Sequence, residues 1–265
     1  MISPFIAPDA IPAGALLVDV RWTTAGSDRD AFVAGHVPGA RYVDLEAVLS
    51  GEGGPIIGRH PLPTPEAFAA GLGAAGVPDG VVVVAYDDAG SVAASRFVWM
   101  LRTVGQEAAV LDGGLASWTG PLESGDPPVV GVTRRVVEWP AGATVEADEV
   151  AAAAARGLVV DSRSASRYRG EQTPLDPRPG HVPGARSLPF SDNIGPDGRL
   201  APVADVQARF ESVGAGAGTI FYCGSGVTAC VNLLAAEQAG RGRGRLYVGS
   251  WSGWATDPSR PVART

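Results

Sequence analysis

Gly35-His36-Val37-Pro38-Gly39-Ala40-Arg41 recurs letter for letter as Gly180-His181-Val182-Pro183-Gly184-Ala185-Arg186. The agreement extends well beyond these heptapeptides. Upstream, Leu17-Val18-Asp19-Val20-Arg21 pairs with Val159-Val160-Asp161-Ser162-Arg163. Downstream, Tyr86-Asp87-Asp88-Ala89-Gly90 pairs with Tyr222-Cys223-Gly224-Ser225-Gly226, and Gly113-Gly114-Leu115-Ala116-Ser117-Trp118 with Gly249-Ser250-Trp251-Ser252-Gly253-Trp254. The last two pairs share one offset, 136 residues, so no gap separates them. Four matches in the same order describe two copies of one domain-sized fold rather than a short-period solenoid.

Each copy alternates strands and helices. Leu16–Val20 and Val81–Tyr86 are short apolar runs suited to buried parallel strands. Thr64-Pro65-Glu66 places a capping hydroxyl before a proline at the first helical position, and Ser91–Val104 reads as a helix stopped by Gly105. In the second copy Leu158–Asp161, Thr219–Tyr222 and Leu246–Val248 read as strands, with Asp148–Arg156, Val203–Val213 and Val227–Ala239 as helices. The alternation predicts an α/β fold in which each copy is a parallel-sheet core with helices on both faces. Gly120 to Gly142, with Pro121, Pro127, Pro128 and Pro140, reads as the connector, and Arg169 to Pro179 as an ordered loop. The expected division is 1–125, a linker over 126–143, and 144–265.

The 265 residues are enough for two ordinary domains with real cores. A formal charge of −7, from 21 basic and 28 acidic residues, argues against nucleic acid as the main partner. No apolar run reaches the roughly 18 residues that span a bilayer, and residues 1–14 lack the basic and apolar regions of a signal peptide. Cys223 and Cys230 are the only cysteines, so no disulfide framework is expected and a reducing cytoplasm is the default. Three histidines and two cysteines seven apart make no zinc pattern, and nothing implies a cofactor.

The chemistry concentrates in Cys223-Gly224-Ser225-Gly226-Val227-Thr228-Ala229, which follows the apolar run Thr219–Tyr222 and precedes a helix-forming stretch. A strand that delivers cysteine into a glycine-rich turn is a way to make a thiolate. Turn amides and the helix dipole favour negative charge on the sulfur. Asp87 occupies the cysteine position of the first copy. A carboxylate cannot carry a persulfide, so that copy is expected to be catalytically silent. Cys230 lies two helical turns on, roughly 10 Å along an axis, too far for a disulfide with Cys223. Asp161, ending a strand, is expected to brace the loop. His36 and His181 recur in identical settings and read as scaffold. A cysteine phosphatase loop needs an arginine six residues after the cysteine, and that position is Ala229.

The cysteine loop, Asp161-Ser162-Arg163 followed by Arg167-Tyr168, the Gly-His-x-Pro-Gly-Ala repeats and the Trp-containing ends together resemble the tandem rhodanese family of sulfurtransferases over essentially the whole chain. The Cys223-Gly-Ser-Gly-Val-Thr-Ala segment is similar to the loop of its 3-mercaptopyruvate branch. Basic residues usually stand at the positions of Gly224 and Ser225 in the thiosulfate branch.

The resemblance implies two rhodanese-like domains and sulfane-sulfur transfer through a Cys223 persulfide. Loop residues Gly224, Gly226, Val227 and Thr228 would surround the substrate, and Arg167 and Arg178 would grip the donor's carboxylate. It also implies a Ser–His–acid arrangement, which falls on Ser225, His60 and Glu46. Ser225 relayed to His60 would protonate the pyruvate enolate that mercaptopyruvate leaves. Gly224 and Ser225 are neutral, so the loop itself carries no cation for a sulfite dianion. Mercaptopyruvate is the expected donor. Thioredoxin, glutathione, cyanide or another thiol would serve as acceptor. Thiosulfate as donor, or a non-catalytic sulfur carrier, are the alternatives.

Overall fold

The computed structural model describes residues 2–172 and 175–265. Thr173 and Pro174, in the proline-rich loop, lie outside the described residues. The chain divides into two compact units. The first comprises 1–51, 62–140 and 196–200, and the second 52–61, 141–195 and 201–265. Each repeat therefore lends a short segment to the other's unit.

In the first unit the strands are β1 (Phe5–Ile6), β2 (Leu16–Asp19), β3 (Trp22–Thr23), β4 (Gly26–Ser27), β5 (Arg41–Tyr42), β6 (Val83–Tyr86) and β7 (Ala108–Leu111), and the helices are α1 (Arg29–Ala34), α2 (Leu45–Val48), α3 (Pro65–Ala74) and α4 (Val92–Thr103). Five strands form one parallel sheet in the order β1-β7-β6-β2-β5, while β3 and β4 form a separate small hairpin. The second unit holds β8 (Thr144–Val145), β9 (Val159–Asp161), β10 (Arg186–Ser187), β11 (Ile220–Tyr222) and β12 (Arg245–Tyr247), with α5 (Ala147–Ala154), α6 (Ala165–Arg169), α7 (Val203–Ser212), α8 (Ala229–Gln238) and α9 (Ser250–Thr256). Its sheet, also parallel, runs β10-β9-β11-β12-β8. Read from the opposite edge the two orders are the same, so the duplication seen in the sequence is a duplication of topology.

The central strands are apolar on both faces because helices flank the sheet. Val83, Val84, Ala85 and Tyr86 are all buried, as are Ile220, Phe221 and Tyr222. Phe32, Val37, Tyr42 and Leu111 pack with Tyr86 in one core. Val150, Val159, Trp251 and Trp254 pack with Tyr222 in the other. Each such side chain removed from water contributes about 1.5–3 kcal/mol before entropy is counted. The Thr64 hydroxyl accepts the Ala67 N–H at 3.2 Å, capping α3 ahead of Pro65.

The repeated heptapeptides do one job twice. His36 Nδ1 meets the Phe32 carbonyl at 2.8 Å and its ring stacks on Phe32 at 3.9 Å. His181 Nδ1 meets the Tyr168 carbonyl at 2.8 Å and stacks on Tyr168 at 3.7 Å. The next residue's N–H donates to a buried phenol in both copies, Val37 to Tyr86 and Val182 to Tyr222. These histidines are structural. The connector lies along the first unit: Val132 N–H reaches the Gly73 carbonyl, Arg134 the Val77 and Pro78 carbonyls, and Trp139 the Pro63 carbonyl. Among the described residues no helix is long and apolar enough to cross a membrane.

Candidate active site

Cys223 follows β11 directly and is 1% exposed. Its backbone is held at three points. The Cys223 N–H donates to Ser250 Oγ at 3.2 Å, and the Cys223 and Gly224 carbonyls each accept at 2.9 Å, from Trp251 N–H and Ser252 N–H. With those carbonyls engaged, Gly226 N–H reaches Cys223 Sγ at 3.2 Å. Gly226 has φ +81°, a conformation that favours glycine and gives the turn its curl. Behind it Val227 is buried, and its carbonyl and that of Thr228 accept the first N–H groups of α8. Thr228 precedes α8 in helical conformation and its hydroxyl makes no capping bond. Cys230 is buried on α8 with its thiol on the Gly226 carbonyl at 3.5 Å, a packed helix residue.

Ser250 has φ +51°, an uncommon conformation for a residue with a Cβ. Its hydroxyl accepts from Cys223 N–H while donating to the Tyr247 carbonyl at 2.9 Å.

Ser225 Oγ and His60 Nδ1 lie 2.8 Å apart. His60 comes from the segment 52–61 that belongs to the second unit. Gly54 and Gly58 close that segment on itself through two backbone bonds, and Arg59 N–H donates to Ser252 Oγ at 3.1 Å. Glu46 belongs to α2 in the first unit, where its carboxylate accepts from Trp22 Nε1 at 2.9 Å. Neighbouring Asp44 caps α2 through the Ala47 N–H.

Asp161 is fully buried and grips Arg163 through its backbone N–H, Nε and Nη2. The Arg163 guanidinium lies 4.6 Å over the Trp251 ring, and Trp251 N–H holds the Cys223 carbonyl. A line of contacts thus runs from Asp161 through Arg163 and Trp251 to the Cys223 carbonyl. Burial pulls Arg163 down, but the charge of Asp161 more than offsets it and keeps the guanidinium protonated.

The two arginines expected to grip a donor part company. Arg167, on α6, points at the loop: a Cβ on Gly224 would meet its Nη2 at 3.0 Å and Nη1 at 3.3 Å. Glycine at 224 is what admits the guanidinium. Arg178 is a correction to the expectation. Its Nε donates to the Ala255 carbonyl, Nη1 to Arg260 and Nη2 to Trp254 and Asp257, so all three of its nitrogens are spent clasping the C-terminal segment.

A second guanidinium does reach the loop, from Arg59. Its Nη2 approaches the Gly224 carbonyl at 3.4 Å and would meet a Cβ there at 3.3 Å. Asp176 joins it to Arg167, accepting from Arg59 Nη1 at 2.6 Å and from Arg167 Nη2 at 2.7 Å. The loop itself carries no cation, and the charge beside it arrives from other elements. Sequence reasoning missed Arg59 and Asp176. Arg59 adjoins His60, but nothing in linear spacing brings it to residues more than 100 positions away.

The rhodanese-like domain model matches residues 7–121 and 146–257. The chain belongs to the rhodanese family. Like its relatives, this rhodanese is a sulfurtransferase. A Pseudomonas aeruginosa protein provisionally named 3-mercaptopyruvate sulfurtransferase is 41% identical, over 86% of this chain and 84% of its own. A Mycobacterium tuberculosis protein provisionally named thiosulfate sulfurtransferase is 35% identical, over 94% and 90%. The structure of the 3-mercaptopyruvate sulfurtransferase from Leishmania major superposes with a TM-score of 0.82 at 30% identity, covering 94% of this chain and 73% of that one. The rhodanese fold thus extends over both units.

Proposed function

We propose that this rhodanese moves sulfane sulfur from 3-mercaptopyruvate to a thiophilic acceptor through a persulfide on Cys223. The observation that carries the reading is the 2.8 Å pairing of Ser225 Oγ with His60 Nδ1 on the turn that holds the cysteine. Mercaptopyruvate needs a proton donor at this place, and thiosulfate does not.

The Cys223 thiolate attacks the donor sulfur. The new S–S bond forms as the S–C bond breaks, and its electron pair passes into pyruvate enolate. The Ser225 hydroxyl, resupplied through His60, protonates the enolate carbon to give pyruvate. The donor's thiol proton leaves to solvent as the outer sulfur ionises, and the loop amides receive the persulfide anion. Arg167 and Arg59 hold the donor carboxylate, a role that their forked donors suit. An acceptor thiolate or cyanide then takes the outer sulfur and restores the Cys223 thiolate. Thioredoxin, glutathione and cyanide all fit that step. Glu46 would serve as the acid of the Ser225–His60 arrangement, and the first copy, with Asp87 in place of cysteine, would serve as scaffold. The lack of a disulfide framework supports a reducing cytoplasm as the site of action.

A thiosulfate reading draws on the same two guanidiniums, which are able to hold the sulfite half. The experiment that separates them is the ratio of kcat/KM on mercaptopyruvate to that on thiosulfate, alongside mass spectrometry of the donor-treated protein. Mercaptopyruvate is expected to be preferred, with one added sulfur on Cys223. Faster turnover on thiosulfate at matched subsaturating donor would overturn the donor, and sulfur on Cys230 would overturn the nucleophile.

A further inference from the structure

The Asp176 side chain is only 1% exposed, and each of its oxygens holds a different guanidinium. Both guanidiniums bear on Gly224. One carboxylate between two permanent cations has two consequences. It fixes the orientation of both forks, because turning either one breaks a charge-assisted hydrogen bond away from water. It also sets the net charge beside the loop: two guanidiniums against one carboxylate leave a single positive charge. The Arg59 side chain is 34% exposed and borders an open cleft of about 460 Å³, and the Arg167 side chain is 21% exposed, so solvent reaches both. The buried Arg167 Nε has no hydrogen-bond partner among the described residues.

The geometry points to Asp176 as a specificity-determining residue. It tunes the Arg59–Arg167 pair to a donor with one negative charge on its anchoring group, a carboxylate, over a dianion of the thiosulfate class. This rests on the sulfurtransferase reading above and names what in the site selects the donor. Asp176 is a positioning residue: it acts through the two arginines.

A merely structural clasp, when weakened, penalises every donor alike. A charge setter moves two donors in opposite directions, and that contrast is the test. Asp176→Asn keeps the shape and raises the net charge from one to two. The mercaptopyruvate-to-thiosulfate ratio of kcat/KM should fall about 10-fold, with the thiosulfate KM itself decreasing. A second readout needs no sulfur transfer: alkylation of the Cys223 peptide by anionic iodoacetate relative to neutral iodoacetamide. That ratio should rise several-fold in Asp176→Asn. It should fall in Arg59→Gln, which leaves no net charge. Equal losses on both donors with an unmoved alkylation ratio would overturn the proposal. If Asp176→Asn does not fold, Arg59→Gln decides, and an unchanged alkylation ratio there overturns it. Should wild type turn over neither donor while the two variants still move alkylation oppositely, the donor reading falls and the charge role of Asp176 stands.

Discussion

The loops that follow β6 and β11 are built alike and filled differently. After β6, the buried Asp87 puts a carboxylate where the second copy has sulfur. Its Oδ1 accepts from Ala89 N–H at 3.0 Å and Ser91 N–H at 2.9 Å, and its Oδ2 from Ala94 N–H at 2.9 Å. Burial pushes the Asp87 carboxyl up from its ordinary value, and the three amides pull it back. After β11, Cys223 Sγ meets the Gly226 amide. The carboxylate has two acceptor atoms beyond its Cβ neighbour, whereas the thiolate has one. A persulfide adds a second. The first copy's loop therefore fills with carboxylate oxygens the place that the second copy gives to a single sulfur.

The surroundings differ as well. His36 on Phe32 and His181 on Tyr168 align the copies, so Ala31 stands where Arg167 stands, and Asp88 replaces Gly224. The Leu115 N–H holds the Asp87 carbonyl as Trp251 N–H holds that of Cys223, which sets Gly114, φ +57°, against the strained Ser250. Each copy turns at least one backbone amide toward the residue after the central strand, while the arginine at 167 and the Ser250 hydroxyl on the Cys223 N–H belong to the second copy.

The largest effect should come from breaking the difference at the nucleophile. Cys223→Ser should abolish transfer, by at least about 10³-fold, while remaining folded, and Cys230→Ser should keep most activity. Adding Asp87→Cys to Cys223→Ser should give a thiol that iodoacetamide labels but no turnover, because Ala31 and Asp88 supply no donor clamp. Restored turnover would mean that the nest alone suffices.

Next in size is the cation that only one copy has. Arg167→Ala should raise the mercaptopyruvate KM roughly 30- to 1,000-fold, the equivalent of about 2–4 kcal/mol, yet hardly slow alkylation of Cys223 by a neutral reagent. A KM within a few-fold of wild type would remove Arg167 from the donor site. The proton relay should matter less. His60→Ala is expected to lower kcat on mercaptopyruvate about 10²-fold and to leave thiosulfate turnover nearly unchanged, since only the first leaves an enolate. Equal losses on both donors would assign His60 to structure.

In the silent copy the expected changes are in stability. Asp87→Ala leaves three amides of a buried turn without their acceptor and should cost about 2–4 kcal/mol, read as a lowered Tm. Its kcat at 25 °C should stay near wild type, and a large loss of kcat would show that the first copy is more than scaffold. The smallest effect concerns His181, whose pKa burial holds below 6.5. The folded state favours its neutral form. That contribution is in place above the unfolded pKa and is lost as pH falls below it. The Tm of wild type should therefore decline more steeply than that of His181→Gln as pH falls below about 6.5.

Much of this was legible in one dimension. Long apolar strands and the cysteine turn are local patterns, and the repeat aligns them without a structure. The two-residue edge strands β1, β5, β8 and β10 were not legible, because they are too short to carry a period of two and form only by pairing with a longer neighbour. Arg178 was misjudged and Arg59 missed for a related reason. Arginines share one chemistry, and which of them is free for substrate depends on which carbonyls lie within reach, here those of residues 254 to 260.

By itself the sequence determined the duplication, the α/β class, the glycine-rich cysteine turn and the copy that lacks a cysteine. These follow from residue type and local order: glycines permit the turn, cysteine alone can carry a second sulfur, and apolar runs must be buried. Only the tertiary structure decided that Arg59 and Asp176 join Arg167 beside Gly224, that Arg178 is held by the C-terminal carbonyls, and that Glu46 accepts from Trp22. Those assignments depend on directions and distances of a few ångströms between residues far apart in the chain, and hydrogen bonds and desolvated charges vary steeply over that range.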